Sequence, residues 1–229
     1  MTSAGTITNP AFVLHTYYRS SCSARVRIAL NLKRIPVKYA YVHLFKGEQQ
    51  SPGHQALNPS GSVPVLTHLA HPEFPITQSI AALEYLEEVF PGETPLLPPT
   101  SQALERAEVR TLVNIISNDV QPITNRRIVN AVVELGDDRE HWSNVYMTRG
   151  LQAYESIAVN TAGTFSVGDN STLADVCLVP AIWAAEKNGV DLERLPTVMR
   201  IYRSMMEMEA VQAAHWSRQA DTPADMAWL

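Results

Sequence analysis

Along the first ninety positions the apolar residues switch between two periods. AFVLHTYY (11–18) is short and rich in β-formers, and predicts a buried strand. From Ser21 the period lengthens. Cys22, Val26, Ala29 and Leu30 share one helical face, leaving Arg25 and Lys33 for water. VKYAYVHL (37–44) predicts a second strand, and the polar stretch with Gly47, Pro52 and Gly53 a loop carrying a short helix. SVPVLTHL (62–69) and FPIT (74–77) predict a strand pair turning at AHPE. Ser79, Leu83, Leu86 and Phe90 then mark another helix, with Glu84, Glu87 and Glu88 outside. The order β-α-β followed by β-β-α predicts a small four-stranded α/β layer domain.

PGETPLLPPTS (91–101), with its four prolines and one glycine, ends this pattern and predicts a linker. Beyond it only helical spacing remains, in Val109, Val113, Ile116 and Val120, in Met147, Leu151, Tyr154 and Ala158, and in Val198, Ile201, Tyr202 and Met205. TLADVCLVPAIWAA (172–185) is apolar nearly all round and predicts a buried central helix, opened by Thr172 and Asp175 as a T-x-x-D capping box. The expected organisation is an α/β domain over 1–92, a linker over 93–101 and an all-helical domain over 102–229.

Composition narrows the class without choosing a function. Hydrophobic residues make up 45% and charged residues 18% of the 229, as in ordinary globular proteins. The net charge of −5, with no Lys/Arg run, argues against nucleic acid or an anionic membrane as the main partner. The first residues lack a basic segment followed by an apolar one, so no secretory signal is expected. No apolar run is long enough to span a membrane. Cys22 and Cys177 are the only cysteines, which excludes a disulfide framework and fits a reducing, cytoplasmic setting. His68 and His71 flank a predicted turn without a third ligand, so no metal is expected.

Three stretches are candidates for chemistry. In RSSCSARVRIAL, Ser20, Ser21 and Cys22 stand where a strand hands over to a helix, whose N-terminal N–H groups favour an anion such as a thiolate. A serine N-cap or an inert buried cysteine explains the same residues. Redox chemistry of the C-x-x-C kind is disfavoured, because Arg25 stands where the second cysteine would be. In NPSGSVPVLTH, Pro64 follows Val63 directly before a strand. With a cis bond the Val63 backbone could pair with an extended peptide, whereas an edge-strand proline needs no ligand. In ITQSIAALEYLEE, Gln78 and Ser79 open a helix, either as a carboxylate site or as a plain cap.

In this order the stretches resemble the cytosolic glutathione transferases, and within them the zeta class, the maleylacetoacetate isomerases. SSCSARVRIAL is similar to that class's S-S-C-x-x-R-V-R-I-A-L signature, and HQALNPSGSVPVL, ITQSIAALEYLEE, DVQPITN (119–125), TLADVCLVP and QADTPADM extend the likeness over roughly residues 12 to 226. The resemblance implies a thioredoxin-like N-terminal domain followed by an all-α C-terminal domain, with glutathione as cofactor and a cytoplasmic homodimer. It implies that Ser20 hydrogen-bonds the glutathione thiolate, with Ser21 and Cys22 completing the turn and Ser23, Ala24 and Arg25 continuing the contact surface. Gln50, Val63, Pro64, Gln78 and Ser79 would hold the peptide, and Gln121 and Asn125 would close the site from the helical domain. For substrate carboxylates the candidates are Arg25, as a cation near the site, Lys187, and Arg126 with Arg127, a pair without a counterpart in the family pattern that plain exposed helix arginines also explain. Lys187 departs from the family pattern, which has arginine there, and so lacks a bidentate fork. The activity implied is glutathione-dependent cis–trans isomerisation of maleylacetoacetate in phenylalanine and tyrosine catabolism, with transferase activity on small electrophiles and α-halo acids. A general detoxifying transferase and a non-catalytic glutathione-fold binding module are the alternatives.

Overall fold

The computed structural model describes residues 9–92 and 94–227. The N-terminal segment read as free of a secretory signal falls mostly outside them. The chain divides into two compact units. One comprises the residues up to Pro95 together with those from Glu209 onward, and the other is Leu96–Met208.

In the first unit, β1 (Phe12–Thr16) leads into α1 (Ser21–Leu32) and then β2 (Val37–Tyr41). After two short 3-10 turns come α2 (Pro52–Leu57), β3 (Val65–His68) and α3 (Ser79–Val89). The sheet order is β2-β1-β3, with β2 parallel and β3 antiparallel to β1. Alternation along β1 buries Phe12, Leu14 and Thr16 and leaves Val13 and His15 half-buried. The Phe12 ring meets Tyr85 and Phe90 edge-on, which fixes the side of the sheet that α3 covers.

Four strands were predicted, but among the described residues the sheet has three. The 74–77 stretch adds one isolated bridge, Ile76 to Leu66, with N–H···O distances of 2.8 and 2.9 Å. Pro75 has no N–H to extend a ladder, and Phe74 is 74% exposed, so nothing apolar draws it inward.

Two charged side chains expected to face water are buried. The Lys33 ammonium lies 2.6 Å from Glu87 and donates to the carbonyls of Phe90 and Thr94. It therefore ties the end of α1 to the end of α3, and Glu87 is not an outer-face residue. Arg25 is 2% exposed.

The chain from 209 on was assigned to the helical domain, but it groups with the first unit. Polar side chains of α1 give the reason. Asn31 donates to the Ala210 carbonyl in α9 (Glu209–Ala213), and Arg27 donates to the Ala214 carbonyl. A buried guanidinium needs acceptors, and this returning segment supplies one.

The second unit is helical: α4 (Ala103–Asn114), α5 (Arg126–Glu134), α6 (Arg139–Thr161), α7 (Leu173–Lys187) and α8 (Pro196–Met206). The periodicity read as one helix to Val120 widens after Asn114 into a π-helical turn, Ile115–Val120, and the Gln121 N–H reaches back to the Ile116 carbonyl. Gly150 lets α6 approach this turn, since a Cβ there would clash with Val120. As predicted, α7 is buried almost throughout and packs against α4, α6 and α8. Its capping box is formed: Thr172 Oγ1 accepts from the Ala174 N–H, and Asp175 accepts from the Thr172 N–H at 2.7 Å. Asp175 also accepts from the Ser166 N–H at 2.8 Å, and burial raises its carboxyl above the usual range. Among the described residues no helix is long and apolar enough to cross a membrane.

Candidate functional site

Between β1 and α1 the chain makes a tight turn, closed by the Ser20 N–H on the Tyr17 carbonyl at 3.0 Å. Ser20 has extended backbone angles (φ −79°, ψ 112°) and is the N-cap of α1, its Oγ accepting from the Ser23 N–H at 3.1 Å. Capping uses only a lone pair, so the hydroxyl proton remains available to an acceptor outside the helix. No acidic residue lies in the first turn of α1, which leaves the positive end of the helix unneutralised. Ser21 and Cys22 are half-buried beside it, and Cys22 is a free thiol. Ser23 and Ala24 turn into the unit at 0% and 2% exposure.

Arg25 and Ser79 meet inside the same unit. Arg25 Nη1 donates to Ser79 Oγ at 3.2 Å, while its Nε is buried without a hydrogen-bond partner. Ser79, 5% exposed, is the first residue of α3, and Gln78 before it is an exposed N-cap with no side-chain capping bond. A cation therefore lies behind a helix N-terminus, a pairing suited to a carboxylate. This is a different place for Arg25 from the water-facing one the periodicity predicted.

The Val63–Pro64 peptide bond is cis. The Val63 backbone forms no hydrogen bond among the described residues, whereas the preceding Ser62 carbonyl is held by His54 Nε2 at 2.9 Å and Asn58 Nδ2 at 2.8 Å. Since a carbonyl only accepts, His54 Nε2 carries the proton. The Gln50 side chain, exposed, donates to the Gly61 carbonyl and crowds Gly61, where a Cβ would lie 2.7 Å from Gln50 Nε2. The first unit thus brings Gln50 to the 61–63 loop. It also packs Tyr17 and Tyr18, just before Ser20, in one apolar cluster with Val42 and Val63.

In the second unit Gln121 is half-buried just after the π-helical turn. Asn125 caps α5, its Oδ1 accepting from the Arg127 N–H at 3.0 Å. Arg126 and Arg127 are exposed in the first turn of α5, where two cations work against the helix dipole and raise the local positive potential. Lys187 is exposed at the last position of α7.

Sequence reasoning missed the groups that hold the turn. Arg27, 0% exposed, donates to Thr16 Oγ1 (2.9 Å) and to the carbonyls of Tyr17 (3.3 Å), Tyr18 (3.2 Å) and Ala214 (3.3 Å). Burial brings its guanidinium down to about 10. Asp221 Oδ2 accepts from the Tyr18 N–H at 2.8 Å. Burial raises the Asp221 carboxyl, an effect the Tyr18 bond and the nearby Arg27 charge reduce. The available signal was the turn-forming Asp221-Thr222-Pro223 near the end of the chain.

Residues 19–89 match the family model for the glutathione S-transferase N-terminal domain. Maleylacetoacetate isomerase of Aspergillus fumigatus is 54% identical over 221 residues, 95% of this chain and 96% of that protein. Two solved structures superpose with TM-scores of 0.86. The holo form of a bacterial maleyl pyruvate isomerase, a zeta-class glutathione S-transferase, is 36% identical, covering 92% of this chain and 100% of that one. Maleylacetoacetate isomerase of Methylobacterium extorquens, with bound malonate and glutathione, is 35% identical, covering 93% and 100%.

Proposed function

The chain belongs to the maleylacetoacetate isomerases of the zeta-class glutathione transferases, and from that premise we propose the residue roles by which it works. It is a glutathione-dependent enzyme that converts maleylacetoacetate to fumarylacetoacetate. Rotation about the substrate's C=C bond is blocked, so a nucleophile must first make that bond single. Glutathione held at the Ser20 turn would supply that nucleophile as a thiolate that adds reversibly and leaves again after rotation, so it would not be consumed.

The carrying observation is the dual use of Ser20. Its oxygen accepts from the Ser23 N–H, and its proton stays free for the thiolate at the positive end of α1. A thiol of reference pKa near 8.5 needs a shift of about 2 units, or roughly 2.7 kcal/mol, to be mostly ionised at pH 7. The helix terminus supplies about 0.3–1 kcal/mol, up to about 2 in good geometry. One hydrogen bond to a charge supplies roughly 1.5–3 kcal/mol. Together these suffice without a dedicated base.

Cys22, beside Ser20, tunes the site without acting as a nucleophile. The unpaired Val63 backbone takes the cysteinyl unit of glutathione, and Gln50 approaches from its loop. Gln78 and Ser79 hold the γ-glutamyl end, with Arg25 behind Ser79 balancing the carboxylate charge. In the second unit, Gln121 and Asn125 are the proposed glutathione contacts, and Arg126, Arg127 and Lys187 the proposed groups for substrate carboxylates. The reading includes a cytoplasmic homodimer, a place in phenylalanine and tyrosine catabolism, and slower conjugation of α-halo acids.

The test is isomerisation of maleylacetone with glutathione, with S-methylglutathione and with neither. Turnover only with the free thiol, and without its consumption, is expected. Binding of glutathione with conjugation but no isomerisation would instead favour the general transferase, and binding with neither the ligand-carrying module.

A further inference from the structure

The turn that presents Ser20 has few polar handles, and two side chains hold them. Arg27 donates to the carbonyls of Tyr17 and Tyr18. Asp221 accepts the Tyr18 N–H at 2.8 Å, across 203 residues of sequence. The Asp221 segment is itself fastened to this unit. Thr222 Oγ1 donates to the Trp216 carbonyl, Ala214 accepts from Arg27, and Trp216 packs on the cluster of Tyr17, Tyr18, Val42 and Val63.

A purely structural tail would gain little from an acid here. Asp221 is half-buried, its second oxygen is buried without a hydrogen-bond partner, and burial disfavours its charge. The carboxylate also lies near the region where a thiolate must form, and by charge alone it would oppose that ionisation. Its useful contribution is therefore geometric: it fixes one peptide plane two residues before Ser20.

We infer that Asp221 is a positioning residue for the thiol-activating turn, acting through the Tyr18 N–H to hold the Ser20 hydroxyl where a glutathione thiolate can accept its proton. The inference rests on the reading of Ser20 given above. It assigns the C-terminal segment a part in catalysis that runs through the turn, by way of the Tyr18 N–H. Groups facing the carboxylate are Arg27, His43, Tyr17 and Tyr41, and of these only Arg27 shares the turn as a donor.

The test is the ultraviolet thiolate absorbance of bound glutathione, titrated against pH in the wild type, Asp221→Ala, Asp221→Asn and Ser20→Ala. Alanine removes both acceptor and charge, so the bound thiol should rise by about one pKa unit, leaving roughly tenfold less thiolate at low pH. Asparagine keeps an acceptor and removes the opposing charge, so its bound thiol should match the wild type or ionise at lower pH. That opposite behaviour, with maleylacetone turnover at saturating substrate following the thiolate fraction, is the supporting result. A folded Asp221→Ala with an unshifted thiol, while Ser20→Ala is shifted, overturns the inference alone. No shift in either overturns the Ser20 reading and this inference with it. If Asp221→Ala does not fold, Asp221→Asn decides by itself: a raised thiol there overturns positioning by a neutral acceptor.

Discussion

Ser20 has two jobs that substitution can separate. Its oxygen caps α1 through the Ser23 N–H at 3.1 Å, and its proton is the donor proposed for the thiolate. Alanine removes both. Losing an N-cap costs about 0.5–2 kcal/mol, whereas glycine at an N-cap costs only a few tenths. Losing a hydrogen bond to a charge costs roughly 1.5–3 kcal/mol, equivalent to about 10- to 150-fold in the thiolate-dependent rate. Ser20→Ala and Ser20→Gly should therefore lose similar activity but differ in stability, with alanine the less stable by about 1 kcal/mol. Maleylacetone turnover at saturating glutathione, paired with urea unfolding followed by circular dichroism, reads both quantities. Thiolate absorbance separates a lost donor from lost glutathione affinity. If Ser20→Gly kept more than about a third of wild-type activity, the lost interaction would be under ~1 kcal/mol and the helix terminus alone would be activating the thiol.

Three further predictions concern the groups that frame the site. Arg27→Lys keeps the charge, but one ammonium cannot reach Thr16 Oγ1 and the carbonyls of Tyr17, Tyr18 and Ala214 together. Leaving even one buried acceptor unpaired should cost about 1–3 kcal/mol in urea unfolding, and stability equal to wild type would refute the account. Asp175→Asn leaves one oxygen to serve the N–H groups of both Ser166 and Thr172, so a similar loss of about 1–3 kcal/mol is expected, and Asp175→Ala should lose more. His215 accepts from the Ser217 N–H through Nδ1, and burial together with Arg218 and Arg27 brings it from 6.5 down to about 4. The unfolded chain therefore takes up a proton below pH 6.5 that the folded one refuses, and this group's stabilising contribution, complete above pH 6.5, fades as pH falls toward 4. His215→Gln should flatten the acid arm of a melting-temperature profile over that range, and an unchanged arm would count against it.

Much of this protein is written in local pattern. Period and turn chemistry marked β1, α1, α3 and the buried α7, whose Thr172–Asp175 box the structure forms as expected. The Ser20, Val63–Pro64 and Gln78–Ser79 stretches were visible because each stands where one element hands over to the next. Local signals failed wherever a residue answers to a distant partner. Periodicity gave Arg25 and Lys33 to water, but Ser79 and Glu87, on another helix, draw them in. The π-helical turn after Asn114 keeps the apolar spacing of an α-helix closely enough to pass for one. FPIT looked like a strand, but Pro75 limits it to one bridge.

By itself, then, the sequence marked most of the elements and the serine-bearing handover from β1 into α1, because caps, prolines and apolar periods act over a few residues. The tertiary structure alone decided which buried charges find partners and that the chain from Glu209 returns to the first unit. It alone brought Asp221 to the Tyr18 N–H. A buried polar group takes whatever acceptor or donor the fold places within about 3 Å, and no period along the chain encodes that neighbour.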